Sequence, residues 1–228
     1  MALRVIPDRI SSLSDLQLPR VIEHMCEEQR GLILVTGATG SGKSSTLAAM
    51  VDRINSRRVE HIITIEDPIE CLRRDKKCFI NQREVGLDTP TFAIALRAAQ
   101  YPDIVLVGEM RDLEIRSATL LAAETGHLVL STLHTLDATE TIQRIITVFP
   151  AHEQKVVRLQ LASALHAVVS QRLVPRSDGL GRVPAVEVMV STGYIRDCIV
   201  NPDKTRLLRG AIAEGASEYG MQTFDQSL

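Results

Sequence analysis

The 228-residue sequence contains no tryptophan, and aromatic residues make up only 3% of it. Proteins that bind single-stranded nucleic acid stack bases on aromatic side chains, and this sequence supplies few of them. Basic residues are not in excess either, because 26 Lys and Arg stand against 28 Asp and Glu, which gives a net charge of −2. The basic footprint typical of DNA- or RNA-binding domains is therefore missing. Both absences argue against nucleic acid as a partner.

Signals for structural metal sites and for membrane insertion are missing as well. The four cysteines include no C-x-x-C pair, so their spacing predicts neither a zinc site nor a redox dithiol. No apolar run approaches the roughly 20 residues of a membrane span, and no signal peptide is recognisable. The densest basic run, residues 73–77, contains Asp75 and is expected to be a solvated loop face. We expect reduced thiols in a cytosolic protein that does not insert directly into a membrane.

Strand-like and helix-like segments alternate along the chain, a pattern typical of a parallel sheet flanked by helices. Strands are predicted at residues 32–36, 61–65, 104–107 and 128–133, with a shorter one near 78–82. Helices are predicted at residues 43–54, 91–99 and 112–124, and another from the capping pair Asp137 and Glu140 to residue 148. The predicted class is α/β, with a mostly parallel sheet flanked by helices.

The two ends of the chain add further elements. A short amphipathic helix is expected from Ser14 through Met25. One long helix is predicted over residues 153–170, where apolar residues recur at helical spacing: Val156, Leu159, Leu161, Leu165 and Val168. A turn at residues 177–181 should return the chain into a strand at 183–189. Two short helices, near residues 195–200 and 204–213, are expected to form a C-terminal helical region.

A glycine-rich loop joins the first strand to the helix that follows. Its sequence at residues 37–44, G-A-T-G-S-G-K-S, matches the G-x-x-x-x-G-K-[ST] pattern of phosphate-binding loops. Glycines let backbone N–H groups face a phosphate at the positive end of the helix dipole. Lys43 would reach the β- and γ-phosphates, and Ser44 would bind Mg²⁺. The predicted nucleotide contacts are Gly37, Thr39, Gly40, Ser41, Gly42, Lys43, Ser44 and Ser45.

Acidic residues and one histidine follow the other predicted strands at their carboxyl ends. Glu66, Asp67 and Glu70 come after the second strand, Glu109 comes after the third, and His134 comes after the fourth. Ligands of parallel sheets bind outside the carboxyl ends of the strands. We therefore expect these side chains to lie at the same edge as the glycine-rich loop.

The same geometry excludes two other polar residues from that edge. Asp103 and His127 precede the third and fourth strands, and about 3.3 Å per residue places Asp103 roughly 15–20 Å from the phosphates. We expect Asp103 to be a loop or cap residue and favour His134 over His127 for a γ-phosphate contact. Hydrolysis requires an acid that holds Mg²⁺ and a base that orients water. Glu66 and Glu109 are the candidates, and spacing does not assign the two roles.

Together these segments resemble the secretion and pilus motor ATPases, and most closely the type IV pilus retraction ATPases. The resemblance is carried by an aspartate box, a variant Walker B motif, a histidine box and a closing motif at residues 64–70, 107–112, 124–135 and 220–226. It implies a RecA-like P-loop core, ATP with Mg²⁺, and a working homo-hexamer. It further implies Glu66 as catalytic base, Glu109 as Walker B acid and His134 as γ-phosphate sensor. Candidate metal ligands are Ser44, Glu109 and Asp67.

The resemblance also implies a division of the chain and a cellular role. Family members carry an N-terminal domain of about 100 residues, a typical small-domain size. Residues 1–30 would be a lead-in from that domain, residues 31–190 the ATPase core and residues 191–228 a C-terminal helical tail. The implied role is pilus retraction through an inner-membrane platform protein, at a cytoplasmic location peripheral to that membrane. Pilus-extension relatives carry a four-cysteine zinc element, and its C-x-x-C pairs are absent here.

Two other functions remain open. One is a RecA-like translocase on nucleic acid, which strong stimulation of ATP hydrolysis by single-stranded DNA would reveal. The other is a regulator of the pilus motor that binds nucleotide without hydrolysing it. The segments on either side of Glu109, residues 95–103 and 112–116, are shorter than is usual in the family, and this keeps the regulator open.

Overall fold

The computed structural model describes residues 10–98 and 102–228, and it is organised around one seven-stranded sheet. The strand order is β3-β2-β4-β5-β1-β6-β7. All neighbouring strands are parallel except β7, which runs antiparallel to β6. The strands are β1 (Gly31–Thr36), β2 (His61–Glu66), β3 (Phe79–Glu84), β4 (Ile104–Val107), β5 (Leu128–Leu133), β6 (Leu165–Pro175) and β7 (Arg182–Val190). The α/β class with a mostly parallel sheet is therefore confirmed.

Helices precede β1, occupy most of the connections between strands and form the C-terminal part of the chain. The helices are α1 (Val21–Met25), α2 (Lys43–Arg57), α3 (Phe92–Ala98), α4 (Leu113–Glu124), α5 (Ala138–Thr147), α6 (Gln154–Ala164), α7 (Gly193–Val200), α8 (Leu208–Glu214), α9 (Ala216–Tyr219) and α10 (Phe224–Ser227). A 3₁₀ helix, Pro202–Leu207, joins α7 to α8. Within the described residues, no helix is both long and apolar enough to span a membrane.

The sheet is covered on both faces, so its central strands are buried along their whole length. Ile33 and Val35 of β1 point to the face covered by α1 and α2. The alternate residues Leu32 and Leu34 point to the opposite face, where helices α3 to α8 pack. Strands buried in this way read as continuous aliphatic runs, as a parallel sheet between two helical layers requires.

The connections create a crevice at one edge of the sheet. Strand β1 continues into α2 on one face, whereas β5 continues into α5 and α6 on the other. These two strands are neighbours, with Thr36 paired to Leu133 at their carboxyl ends. A position at which adjacent strands lead to opposite faces is where open α/β sheets bind ligands. The crevice between β1 and β5 is therefore where the fold favours a binding site.

The predicted cap of α5 is present. The Asp137 side chain accepts a hydrogen bond from the backbone N–H of Glu140 at 2.8 Å. The Glu140 carboxylate accepts in return from the backbone N–H of Leu136 at 2.8 Å, one residue before the position that a capping box would use. Two of the N–H groups at this helix start are therefore satisfied by side chains.

The prediction of one long helix over residues 153–170 is wrong. Helix α6 ends at Ala164, and β6 begins at Leu165 in the gap between β1 and β7. A strand that is buried on both faces has no alternation of polar and apolar residues, so its apolar residues also fitted a helical period. Val168 and Val169 are β-branched and fully buried, as a central strand favours. Val156, assigned to the apolar side of that helix, is 57% exposed.

The helix expected from Ser14 through Met25 is shorter than predicted. A turn covers residues 13–17, and only Val21–Met25 is helical, where Ile22 and Met25 are buried. Pro19 lies between the two segments, and proline disfavours a helical conformation in the residue before it. Residues 1–9 of the predicted lead-in lie outside the described residues, as does residue 99 at the predicted end of α3.

We predict that Asp137→Ala lowers the free energy of unfolding by about 1 kcal/mol, because α5 loses its N-cap acceptor. The matched control is Glu153→Ala at the N-cap of α6, where the side chain makes no capping hydrogen bond. Urea denaturation of both variants measures the difference. Equal losses in the two variants would contradict a role of Asp137 as a cap.

Candidate nucleotide-binding site

The glycine-rich loop lies between β1 and α2, and its conformation depends on glycine. Gly37, Gly40 and Gly42 have φ angles of 144°, 77° and 95°, which L-residues with a side chain rarely adopt. A Cβ atom on Gly37 would lie 2.4 Å from the backbone oxygen of Gln171 in β6 and 2.5 Å from Ser41 Oγ. Strand β6 therefore closes one side of the loop, and only glycine fits there.

The Lys43 ammonium is folded back onto the loop. Its Nζ donates to the carbonyl oxygens of Gly37 at 2.8 Å and Ala38 at 3.0 Å. Burial lowers the pKa of Lys43, and the charges of Glu109 and Glu70 oppose that shift. The positive charge is thus kept at the loop by the carbonyl oxygens and by the acidic residues at the carboxyl edge of the sheet.

The start of α2 offers polar groups to a ligand. Gly42 is its N-cap and provides no side chain to satisfy the first N–H groups of the helix. Ser41 Oγ is buried and has no hydrogen-bond partner among the described residues. Such a helix start favours an anion, and this supports the prediction of a phosphate at residues 37–44. Ser44 and Ser45 are exposed in the first turn, and Thr39 is exposed on the loop.

A chain of polar contacts begins at Lys43 and follows the carboxyl edge of the sheet. Lys43 Nζ lies 3.4 Å from Nδ1 of His134, which follows β5. Nε2 of His134 lies 3.2 Å from Oε1 of Glu109, which follows β4. Arg111 continues the chain, because its Nε lies 2.8 Å from Glu109 Oε2 and its Nη1 lies 2.8 Å from Asp67 Oδ2, after β2. Residues from four strands of the sheet therefore meet at one edge.

Glu66 lies at the same edge but belongs to a separate group of contacts. It is 7% exposed. Its Oε1 accepts hydrogen bonds from Thr64 Oγ1 at 2.7 Å, Arg73 Nη1 at 2.8 Å and Gln82 Nε2 at 3.3 Å. In the described part of the chain, no hydrogen bond joins Glu66 to Glu109 or Lys43. The two candidate acids for hydrolysis are thus held by different partners.

Two arginines in these contacts were not singled out from the sequence. Arg73 belongs to the basic run that was expected to be solvated, and this expectation is wrong for it, because its side chain is only 4% exposed. The neighbouring Arg74 is exposed, as expected. Arg111 pairs with Glu109 and Asp67. A signal was available, because a buried acid at the end of a strand requires a cation or several donors close by.

Asp103 and His127 lie where the strand directions place them, at the opposite end from the loop. The Asp103 carboxylate accepts from the backbone N–H of His61 at 2.8 Å and so caps the start of β2. Nδ1 of His127 lies 2.9 Å from the carbonyl oxygen of Ala122. Both residues therefore make local contacts away from Lys43.

The metal ligands predicted from the sequence, Ser44, Glu109 and Asp67, stay a prediction. Among residues 10–98 and 102–228, no group of three or more His, Cys, Asp or Glu side chains is placed to hold a metal ion. Mg²⁺ prefers oxygen ligands and is commonly bound by one or two carboxylates, water and substrate phosphates. Ser44, Glu109 and Asp67 supply such oxygen donors. The side chain of Asp67 is 57% exposed and is held by Arg111. In the chain of contacts that begins at Lys43, Asp67 therefore comes after Glu109.

The fold and this site define a class of protein. The loop follows a buried parallel strand, and β5 separates that strand from the acid-bearing β4, which is the arrangement of a RecA-like P-loop domain. The chain belongs to the Type II/IV secretion system protein family, whose model matches residues 9–215.

Individual relatives are similar over nearly the whole chain. The "Type IV pilus retractation ATPase PilT" of Pseudomonas aeruginosa is 50% identical over 99% of this chain and 65% of its own length. The "Twitching motility protein" of Neisseria gonorrhoeae is 47% identical over 99% of this chain and 60% of its own length. A crystal structure of the pilus retraction motor PilT with bound ADP superposes with a TM-score of 0.87 at 44% identity, covering 99% of this chain and 68% of that one. The chain thus spans less than two thirds of the two curated relatives.

We predict that Gly37→Ala lowers the free energy of unfolding by about 1–3 kcal/mol, because the new Cβ overlaps the Gln171 carbonyl oxygen. Gly193→Ala is the matched control, since a Cβ there meets nothing within 4 Å and its φ is ordinary. Urea denaturation compares the two variants. An unchanged midpoint for Gly37→Ala would contradict the close packing of β6 against the loop.

Proposed function

We propose that the chain binds and hydrolyses ATP with Mg²⁺, as the motor domain of a type IV pilus retraction ATPase. The observation that carries the proposal is the run of contacts from Lys43 through His134 to Glu109, directly beside the glycine-rich loop. This run brings a cation for phosphates, an acid for a metal ion and a group that can sense the γ-phosphate to one crevice. The RecA-like fold and the named relatives support it.

The residues divide the chemistry between them. Lys43 and the N–H groups of the loop hold the phosphates. Lys43 then exchanges its contacts with the Gly37 and Ala38 carbonyl oxygens for contacts with phosphate oxygens. Mg²⁺ supplies charge neutralisation on the phosphates, with Ser44 and Glu109 as its first candidate ligands. Glu66 orients the attacking water and accepts its proton. His134 contacts the γ-phosphate. Because His134 also contacts Glu109, the binding of the γ-phosphate affects the position of Glu109.

The cellular role that we propose follows the pilus relatives named above. Nucleotide turnover would drive pilin disassembly in a homo-hexamer that works on an inner-membrane pilus platform protein. The protein would be cytoplasmic and peripheral to that membrane, without contacts to nucleic acid. Within the chain, we retain residues 1–30 as lead-in, residues 31–190 as ATPase core and residues 191–228 as C-terminal tail.

One observation favours a second candidate, a nucleotide-binding regulator that does not hydrolyse ATP. Both acids required for hydrolysis are paired with arginines, Glu66 with Arg73 and Glu109 with Arg111. If the pair of Glu109 with Arg111 persists in the presence of ATP, the Glu109 carboxylate is not available to the metal ion. Phosphate release by the full-length protein separates this candidate from the motor.

We predict that Lys43→Ala lowers nucleotide affinity at least about 10-fold, since it removes a charge from the phosphates. Glu109→Gln should keep that affinity and lower kcat by on the order of 10²-fold, because a neutral amide cannot serve the metal. Affinity is measured with a fluorescent ATP analogue, and kcat by phosphate release from the full-length protein. Glu114→Gln, an exposed change on α4, is the matched control. Undiminished turnover in Glu109→Gln would refute the assignment of Glu109.

A further inference from the structure

Glu66 and Arg73 form a buried ion pair at the carboxyl end of β2. Their side chains are 8% and 4% exposed, and Arg73 Nη1 lies 2.8 Å from Glu66 Oε1. Arg73 comes from the loop between β2 and β3, seven residues after the carboxylate that it binds. Every other arginine–carboxylate pair of the described residues is more exposed than this one. The protein therefore keeps a full positive charge out of water at this position.

The contacts of Glu66 are unequal between its two oxygens. Thr64 Oγ1, Arg73 Nη1 and Gln82 Nε2 all donate to Oε1. No hydrogen bond from a described residue reaches Oε2. Three donors from β2, the following loop and β3 thus fix the carboxylate by one oxygen, and the other oxygen remains available as an acceptor.

The guanidinium of Arg73 does not use all of its hydrogen-bond donors. Its Nε is buried without a hydrogen-bond partner among the described residues. Besides Glu66, its only acceptor in the described part of the chain is the Cys71 carbonyl oxygen, at 3.3 Å. An unsatisfied buried donor is unfavourable. If this ion pair served stability alone, we would expect every donor of the guanidinium to have a hydrogen-bond acceptor. Here the contact with Glu66 determines where the guanidinium lies.

Gln82 of β3 holds the loop that carries Arg73. Gln82 Oε1 accepts from the backbone N–H of Arg73 at 2.8 Å, while Gln82 Nε2 donates to Cys71 O at 2.9 Å and to Glu66 Oε1. One side chain of β3 therefore binds both the carboxylate and the backbone of the segment that brings the guanidinium. Glu66, Arg73 and Gln82 form a closed set of contacts.

We propose that Arg73 is a positioning residue for hydrolysis. It holds Glu66 by Oε1, with Thr64 and Gln82, so that Oε2 is the oxygen that accepts a proton from the attacking water. The inference rests on the proposed ATP hydrolysis with Glu66 as base. Displacement of a catalytic group by about 1 Å is enough to lower a rate on the order of 10²-fold. Arg73 thereby acts through Glu66 and touches neither nucleotide nor water.

The first test compares charge variants in the full-length protein. We expect Arg73→Gln to lower kcat on the order of 10²-fold with KM for ATP changed less than about threefold, because the carboxylate is misplaced while the loop is intact. Arg73→Lys should recover part of kcat, since it restores a cation. Arg74→Gln removes the same charge from the adjacent exposed residue and should leave both constants unchanged. Thr64→Val, which removes another donor to Oε1, should lower kcat independently of Arg73.

The second test is a double-mutant cycle between Arg73→Gln and Glu66→Gln. Under single-turnover conditions, Arg73→Gln should cause no further loss of rate in the Glu66→Gln background. In urea denaturation without nucleotide, the double variant should be less destabilised than the sum of the single variants, because neither partner is then left alone. The unfolding measurement tests the contact without reference to activity.

The outcomes separate this inference from the proposed function. If wild-type protein releases no phosphate, the proposed function fails and this inference with it. If wild-type protein hydrolyses ATP and Glu66→Gln lowers the rate strongly, but Arg73→Gln keeps or raises kcat, only the positioning role is overturned. A further rate loss in the Glu66→Gln background, or additive effects on unfolding, would also overturn it.

Discussion

The parallel alignment of β1, β5, β4 and β2 is the constraint on which the candidate site depends. Parallel strands in one sheet end at the same edge, so the four segments that follow them meet there although they are far apart in sequence. The register is close, with Thr36 opposite Leu133 and Val107 opposite Ser131. Only a few residues beyond each strand are then needed to bring a lysine, a histidine and two acids together.

Charge pairing explains how so many ionic groups are accommodated at this edge. Arg111 lies between Glu109 and Asp67, while Arg73 pairs with Glu66 inside the protein. The hydrogen bond to Glu109 is the main reason that the pKa of Arg111 is raised above its ordinary value. The acids would otherwise repel one another, and in the deeper position an unpaired carboxylate would be strongly unfavourable. The two arginines therefore make the acidic edge compatible with a folded protein.

Sequence reasoning predicted the positions of the first five strands, because they are aliphatic runs, and the edge at which the candidate residues lie, because that follows from strand direction. It did not predict the contacts among those residues, since they depend on side chains such as Arg73 and Arg111 that approach from loops. It also failed at β6, where Ala167, Val168 and Val169 form an apolar run without a two-residue period. The identity of that segment as a strand is determined by the space between β1 and β7, which is a property of the tertiary structure.

Gln171 gives β6 a further significance. Its backbone oxygen packs against Gly37, and its side-chain amide donates to Thr46 Oγ1 of α2 at 2.9 Å. The next strand, β7, is bonded to the C-terminal segment through Val188 and Gln222. Strands β6 and β7, which pair with each other, thus connect the loop of the candidate site with the C-terminal segment. The packing of the glycine-rich loop therefore depends on a pair of strands that the C-terminal segment also contacts.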